Sequence, residues 1–288
     1  MNYIDCIIVN YKQLNNCINL FSILETEKCI KKIICVDNSG EILDFFKNNI
    51  NDNLKLKIID PGSNIGFGKA NNLGISFCNS SRILICNPDI YFECGTLDKI
   101  NKLYNNLNSN DLGFCFNMKD SNNLTQNSHS RIQNRNIFLI NQLGLSFLLP
   151  RSLKTKYSKL KSNDLVDQPI GAFLLLKKEH FISVGGFDED FFVYYEDLHL
   201  FYKLNLKYNK MKYLEEISIF HKGGESSKNT IANMLVLQIN GKKIYFKKRG
   251  WKKMGIIYLF FEYFLKVIYY NKYISRNQLN KLFKTYIK

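Results

Sequence analysis

No cysteine follows Cys115 in this 288-residue chain, and the eight present form no C-x-x-C pair. Zinc-ligand spacing is therefore absent, and a disulfide framework is not expected at this length. Several thiols fall inside apolar runs, Cys6 within residues 3–9 and Cys35 within 33–36, which reads as reduced, buried cysteine in a cytosolic compartment. The opening residues, MNYIDCIIVNYK, lack a basic segment followed by a long apolar one, so no secretory signal is expected. Neither a Walker lysine motif nor G-x-G-x-x-G occurs. A composition of 45% apolar and 23% charged residues excludes a chain that is disordered throughout.

Acid is scarce at the carboxyl end. Residues 242–288 hold thirteen Lys or Arg against a single acid, Glu262, and so carry +12 of the net +15. The remaining 241 residues are nearly neutral. Such a basic tail suits either nucleic acid or an anionic membrane surface.

What is present in the first 90 residues is a rhythm of short apolar runs and helix-like segments. Strands are expected over 4–9, 32–36, 55–59 and 82–86, with helices near 14–28, 41–49 and 67–78. This alternation implies a mostly parallel sheet wrapped by right-handed crossovers, an α/β fold that binds ligands beyond the carboxyl ends of its strands. Polar clusters follow the runs there: Asn10-Tyr11, Asp37-Asn38-Ser39-Gly40 and Asn87-Pro88-Asp89. Residues 117–165 lose the rhythm and read as an irregular insertion. A strand over 170–176, a helix near 178–184, a helix from Glu196 and a strand near 211–220 restore it.

Four constellations carry chemistry. The glycine-rich loop and helix start at 61–72 could present backbone N–H groups to phosphate or sugar hydroxyls, although a tight loop is the plainer reading of the pattern alone. Asp89, held behind Pro88 at a strand end, is a reasonable site for Mg²⁺ or Mn²⁺ on a diphosphate; an Asn-Pro-Asp turn would look the same. On a helix beginning at Glu196, Asp197 shares a face with Leu200, Phe201 and Leu204, and Glu196 lies roughly 100° away. That makes Asp197 a general-base candidate, while acids in a first helical turn are also ordinary dipole partners. His221 closes a strand, and its ring could face the cleft that holds Asp89. His129 and His180 read as surface residues, and His199 as a helix flank.

Taken in order, Ile7-Ile-Val-Asn-Tyr11, residues 36–40, 64–74 and 87–90, 171–176, Gly185-Gly-Phe-Asp188, Tyr194-Tyr-Glu-Asp197 and Phe220-His221 resemble the family 2 glycosyltransferases, in particular the rhamnosyltransferase-like enzymes of bacterial polysaccharide and O-antigen assembly. The resemblance spans about residues 3–225. It implies a GT-A fold and an inverting, metal-dependent transfer from a nucleoside-diphosphate sugar, with dTDP-rhamnose as the expected donor and a UDP-hexose or galactofuranose donor as the neighbouring option. A lipid-linked, polyprenyl diphosphate saccharide is the implied acceptor. A catalytically inactive sugar-nucleotide-binding subunit is the contrasting reading.

By the same resemblance, Asn10, Tyr11, Asp37, Asn64, Gly66, Asn71 and Asn87 attend the nucleotide sugar, with Asp37 at the base or ribose. Asp89 and His221 hold the divalent metal, and Asp197 is the base with Glu196 as second choice. Two departures stand out: His199 occupies the last position of the usual Glu-Asp-x-Asp, and Lys203 replaces an Arg, so acceptor handling on that helix is expected to differ.

The domain expectation is therefore a catalytic body over 1–225, with 117–165 as an acceptor-side insertion, and a basic, aromatic tail over 226–288. Glu262 and Lys266 interrupt the apolar stretch 254–270, so a membrane-spanning helix is a poor reading. An amphipathic helix lying in the headgroup region fits better, placing the protein peripherally on the inner face of the cell membrane. A helix packed on the body is the competing reading. No nucleic-acid motif is visible.

Overall fold

The computed structural model describes residues 3–48, 55–126, 128–157, 159–223, 231–251, 262, 284 and 285. Its first half is a five-stranded sheet built from β1 (Ile4–Asn10), β2 (Ile30–Asp37), β3 (Leu56–Ile59), β4 (Arg82–Cys86) and β8 (Phe173–Lys177), in the order β3-β2-β1-β4-β8. The first four strands are parallel, and β8 runs antiparallel to β4. These strands are short and rich in Ile and Cys because both faces are covered. On one face Ile4, Cys6 and Ile8 pack with Leu20, Phe21 and Leu24 of α1 (Leu14–Thr26) and Ile100 of α4 (Thr96–Tyr104). On the other, Ile7, Ile34 and Ile85 pack with Ile75 of α3 (Phe67–Ser76) and Leu200, Phe201 and Leu204 of α7 (Glu196–Asn205). Seven of the eight cysteines are buried and Cys94 is exposed; none is paired.

A second sheet, not foreseen from the sequence, lies beyond the first. β5 (Ile90–Tyr91), β9 (Met211–His221) and β6 (Phe114–Lys119) lie in the order β5-β9-β6, with β7 (Leu165–Val166) also pairing β9. Its function is positional: the antiparallel pairing of β5 with β9 sets Ile90 opposite His221, which brings residue 89 to the histidine. The insertion is partly regular. It includes the end of β6, α5 (Arg135–Gln142) and two 3₁₀ turns, Leu145–Leu148 and Arg151–Leu153.

The histidine readings need correction. His129 is buried, with Nε2 2.9 Å from the Phe116 carbonyl oxygen. His180 is buried and stacked on Tyr208. Each ring has an apolar body, and burying it against an aromatic neighbour outweighs the loss of solvent once one nitrogen is partnered or neutral.

The tail boundary also moves. α8 (Ile231–Lys248) packs on the body through Leu235, Ile239, Tyr245 and Phe246, which meet Phe138 and Leu139 of α5 and Phe191. Burial of each such side chain contributes about 1.5–3 kcal/mol. Lys242, expected on a lipid-facing basic stretch, is instead buried, with Nζ 2.6 Å from Glu262 Oε1. Removing either partner would strand the other's charge at a cost of about 3–5 kcal/mol. Residues 231–251 therefore belong to the body rather than to an appendage. Most of the apolar stretch 254–270 lies outside the described residues. Among the described residues, no helix is long and apolar enough to cross a membrane.

Candidate active site

At the carboxyl ends of β1, β2 and β4 lies a cavity of about 310 Å³. Tyr11, Asn38, Asn64, Gly66, Asn87 and Pro88 line it from the sheet side. Phe192, Val193 and Tyr194 close the opposite side, with Met234 and Leu237 of α8 beyond them. Of the residues expected at the nucleotide sugar, Tyr11, Asn64, Gly66 and Asn87 thus border one space. Gln13, Asn38, Phe67 and the 192–194 segment were missed. Asn38 was legible as part of the polar cluster after β2, but the α8 contribution carries no motif.

Asn10, Asp37 and Asn71 sit differently. All three are fully or almost fully buried. Asp37 Oδ2 accepts from the backbone N–H groups of Ile42 (2.8 Å) and Leu43 (3.0 Å), at the start of α2 (Glu41–Asn48). Its Oδ1 accepts from Asn10 Nδ2 at 2.8 Å and from Ser39. Asn10 Oδ1 in turn accepts from the Gln13 N–H. Asn71 donates from Nδ2 to the Phe67 carbonyl. Asp37 thus holds the β1 and β2 loops and caps α2, while the neighbouring Asn38 borders the cavity.

The loop at 190–195 is held from two sides. Gly66 has φ +86°, and a Cβ there would overlap the Phe192 carbonyl oxygen, which accepts from the Phe67 N–H at 2.9 Å. A Cβ on Gly241 of α8 would overlap the Tyr194 carbonyl oxygen in the same way. Only glycine allows this approach at either position. Tyr194 and Tyr195 adopt left-handed conformations, φ 68° and 72°, and this turn launches α7. Left-handed backbone is costly for bulky residues and persists where the surroundings enforce it.

The launch separates two adjacent acids. Glu196 is buried near Gly68 and Phe187, and its Oε2 has no hydrogen-bond partner among the described residues. Desolvation, and then the Asp197 charge, push its carboxyl up to about 8. Asp197 is half-buried against Gly171 rather than within the fully apolar stripe of Leu200, Phe201 and Leu204. Its Oδ1 accepts from the Leu198 N–H at 2.7 Å and its Oδ2 from Gln168 Nε2 at 3.0 Å. Desolvation raises its carboxyl above the usual range, opposed by those hydrogen bonds and by the Lys156 charge. Two neighbouring carboxyls in one low-dielectric region do not both ionise readily. Burial raises both carboxyls, and Asp197 is the more accessible of the two.

Asp89 and His221 are brought together as the sequence suggested. His221 Nε2 lies 3.5 Å from Asp89 Oδ2, and both side chains are largely buried. Asp89 Oδ1 has no hydrogen-bond partner among the described residues. His221 is anchored by Gln126, whose Nε2 donates to the His221 carbonyl at 2.7 Å and whose Oε1 lies 3.4 Å from Nδ1. A carboxylate with an unpartnered oxygen beside an imidazole is a donor set that fits Mn²⁺ or Mg²⁺, leaving further positions for phosphate oxygens and water. A third cluster, Glu27, Cys29 and Asp98, is different in kind. Glu27 accepts from the N–H groups of Gly95 and Asp98 at the start of α4, and Asp98 accepts from those of Cys29 and Lys28.

His199 and Lys203 serve the framework in this chain. His199 is buried between Phe191 and Tyr202, with Nε2 3.4 Å from Asp188 Oδ2, and burial lowers its imidazole to about 4. Lys203 Nζ donates to the carbonyls of Val184 and Gly186, both at 2.8 Å, holding the glycine turn.

Tyr11, Asn64, Gly66 and Asn87 thus line one strand-end cavity, and Asp89, next to its Pro88, is paired with His221. The chain belongs to the glycosyltransferase-like family 2, whose model matches residues 21–222. It is 28% identical over 211 residues to the low-salt glycan biosynthesis hexosyltransferase Agl10 of Haloferax volcanii, covering 68% of this chain and 60% of that protein. It is 27% identical over 199 residues to the rhamnosyltransferase WbbL of Escherichia coli K12, covering 66% of this chain and 72% of that one. Among solved structures, the mannosyltransferase PcManGT from Pyrobaculum calidifontis, in complex with GDP-Man and Mn²⁺, superposes with a TM-score of 0.54 at 11% identity, covering 98% of this chain and 78% of that one. TarS 1-349 of S. aureus with UDP-GlcNAc gives 0.53 at 13% identity, covering 99% and 80%. The fold is of the GT-A type.

Gln168 offers a direct test of Asp197. Gln168→Leu removes the donor that favours the ionised carboxylate, so the Asp197 pKa rises further. If the rate requires ionised Asp197, its acid limb moves to higher pH, by about tenfold in rate per pKa unit on that limb. A pH–rate profile of the variant checks this. A loss of equal size at every pH would mean that Gln168 does no more than support the local fold.

Proposed function

We propose that this protein transfers a sugar from a nucleoside diphosphate to a hydroxyl of a lipid-linked saccharide, with inversion at the anomeric carbon, in cell-surface polysaccharide assembly. The observation that carries the reading is the pairing of Asp89 with His221 beside the cavity that Asn87 and Pro88 line. The family membership supports the same reaction class. The donor enters the cavity with its base and ribose toward Tyr11, Asn38 and Asn64. The diphosphate lies toward Asn87 and Asp89, with the start of α3, which no side chain caps, close by.

Asp89 and His221 would hold a Mg²⁺ or Mn²⁺ ion, which when bound offsets the charge that develops on the leaving diphosphate. Asp197 takes the proton from the acceptor hydroxyl. The acceptor oxygen forms its bond to the anomeric carbon as the bond to the diphosphate breaks, and that electron pair leaves with the diphosphate. Glu196, buried beside Asp197 with its carboxyl raised to about 8, is the second choice for the role of base.

The likeness to WbbL favours dTDP-rhamnose as donor, with UDP-hexoses as competitors. A lipid-linked acceptor places the enzyme peripherally on an anionic membrane surface, at the cytoplasmic face. A panel of dTDP-, UDP- and GDP-sugars, read by thermal shift with and without Mn²⁺ and then by transfer to a lipid-linked acceptor, tests the reading. A native-state ligand raises the melting temperature. A matched donor should do so only with the metal, and no response to any donor would sink the proposal.

A further inference from the structure

We propose that the insertion carries a membrane-docking surface of its own, formed by the two 3₁₀ turns at Leu145–Leu148 and Arg151–Leu153 and directed to anionic phospholipid. This rests on the membrane-surface part of the reading above and names which face makes the contact. Four large apolar side chains are exposed within nine residues: Leu145, Phe147, Leu148 and Leu153. Phe147 is 71% and Leu148 66% exposed, although the protein has ample core in which to bury them. Isolated exposed apolar residues are ordinary, but a cluster of this size is a contact surface.

The charge around the cluster says what it contacts. Residues 131–163 contain seven Lys or Arg and no Asp or Glu. Arg131 is tied down, donating to the carbonyls of Lys154 and Lys156 and lying over the Tyr157 ring. Arg135, Arg151, Lys159 and Lys161 are exposed. Apolar tips flanked by cations of one sign match the two layers of an anionic bilayer surface, acyl chain below and phosphate above. A protein partner of ordinary surface composition would not select against every acid over 33 residues.

The patch is also braced. α5 precedes it, and Phe138 of α5 packs on Tyr245, Phe246 and Trp251. The insertion is therefore fixed to α8 through α5. The same insertion supplies Lys156 near Asp197, so docking would set the acceptor side of the site close to the headgroups.

The test uses the full chain and flotation with phosphatidylcholine vesicles, with and without phosphatidylglycerol. Wild-type protein should float with the anionic vesicles alone and be loosened by salt. Phe147→Glu/Leu148→Glu, which alters only exposed side chains, should lower the bound fraction about tenfold or more while leaving the donor-induced thermal shift unchanged. If wild-type protein floats and the double variant floats equally well, the tail or another face makes the contact and the insertion proposal is overturned. If wild-type protein ignores every vesicle, the membrane reading fails along with it. If the double variant instead turns a dimer into a monomer in sizing experiments with lipid binding intact, the patch joins two copies and the proposal is equally overturned.

Discussion

Asp197→Asn is expected to lower turnover by about 10²–10⁴-fold, while the melting temperature and the donor-induced thermal shift stay close to wild type. The substitution keeps the size of the side chain and an oxygen able to accept from the Leu198 N–H, so the start of α7 is preserved. What it removes is the ionisable group of the more accessible of the two acids. Glu196→Gln is the matching control. The Glu196 carboxyl is held near 8 by burial, so it is already neutral at neutral pH and an amide is a fair substitute for it.

Glu196 also gives a stability signature. Because its folded pKa is raised, its contribution is fully present below the unfolded carboxylate range and is lost as pH rises through about 8. Glu196→Gln should therefore melt like wild type in acid and above it in mild alkali. Steady-state rates for both variants, alongside melting curves across pH, decide the assignment. Normal turnover in Asp197→Asn with an inactive Glu196→Gln would move the base to Glu196.

The second large effect is expected at the carboxylate–imidazole pair. Asp89→Ala and His221→Ala should each abolish most of the metal-dependent donor thermal shift and reduce transfer by about 10²–10³-fold, the range seen when one electrostatic partner of a charged transition state is removed. The double variant should be scarcely worse than either single one, since residues acting as a unit are not additive. His221→Ala leaves the β5–β9 pairing intact, because that pairing is made by backbone atoms. Folding should accordingly survive. Isothermal titration of donor with Mn²⁺ or EDTA checks the point. Full activity in EDTA would show both residues to be misassigned, and the diphosphate charge would then have to be met by side chains.

Much of this was legible before any tertiary structure. The parallel strands at the amino-terminal end announce themselves because a strand buried on both faces must be a short, nearly continuous apolar run, as in Ile4–Asn10 and Arg82–Cys86. The order of polar clusters after those runs located the cavity, since the carboxyl ends of parallel strands share one edge. Asp89 and His221 were recoverable because each ends or follows a strand. By contrast, β5, at two residues, and β6, inside a polar stretch, have no local signature that separates them from loop.

The α/β architecture and the polar strand ends at the cavity edge follow from local periodicity and from chain order. Which polar residues border the cavity and which bond within the framework depends on contacts between distant segments. Asp37 and Asn10 bond to each other across 27 residues of chain, and nothing near either one in sequence reveals it. The different surroundings of Glu196 and Asp197 likewise come from Gly68 on one side and from Gln168 and Gly171 on the other, two segments distant from both acids in sequence. Lys242, in the basic stretch after 241, is likewise buried against Glu262. A charge count cannot tell a solvated lysine from a partnered one, because burial depends on what the fold sets against it.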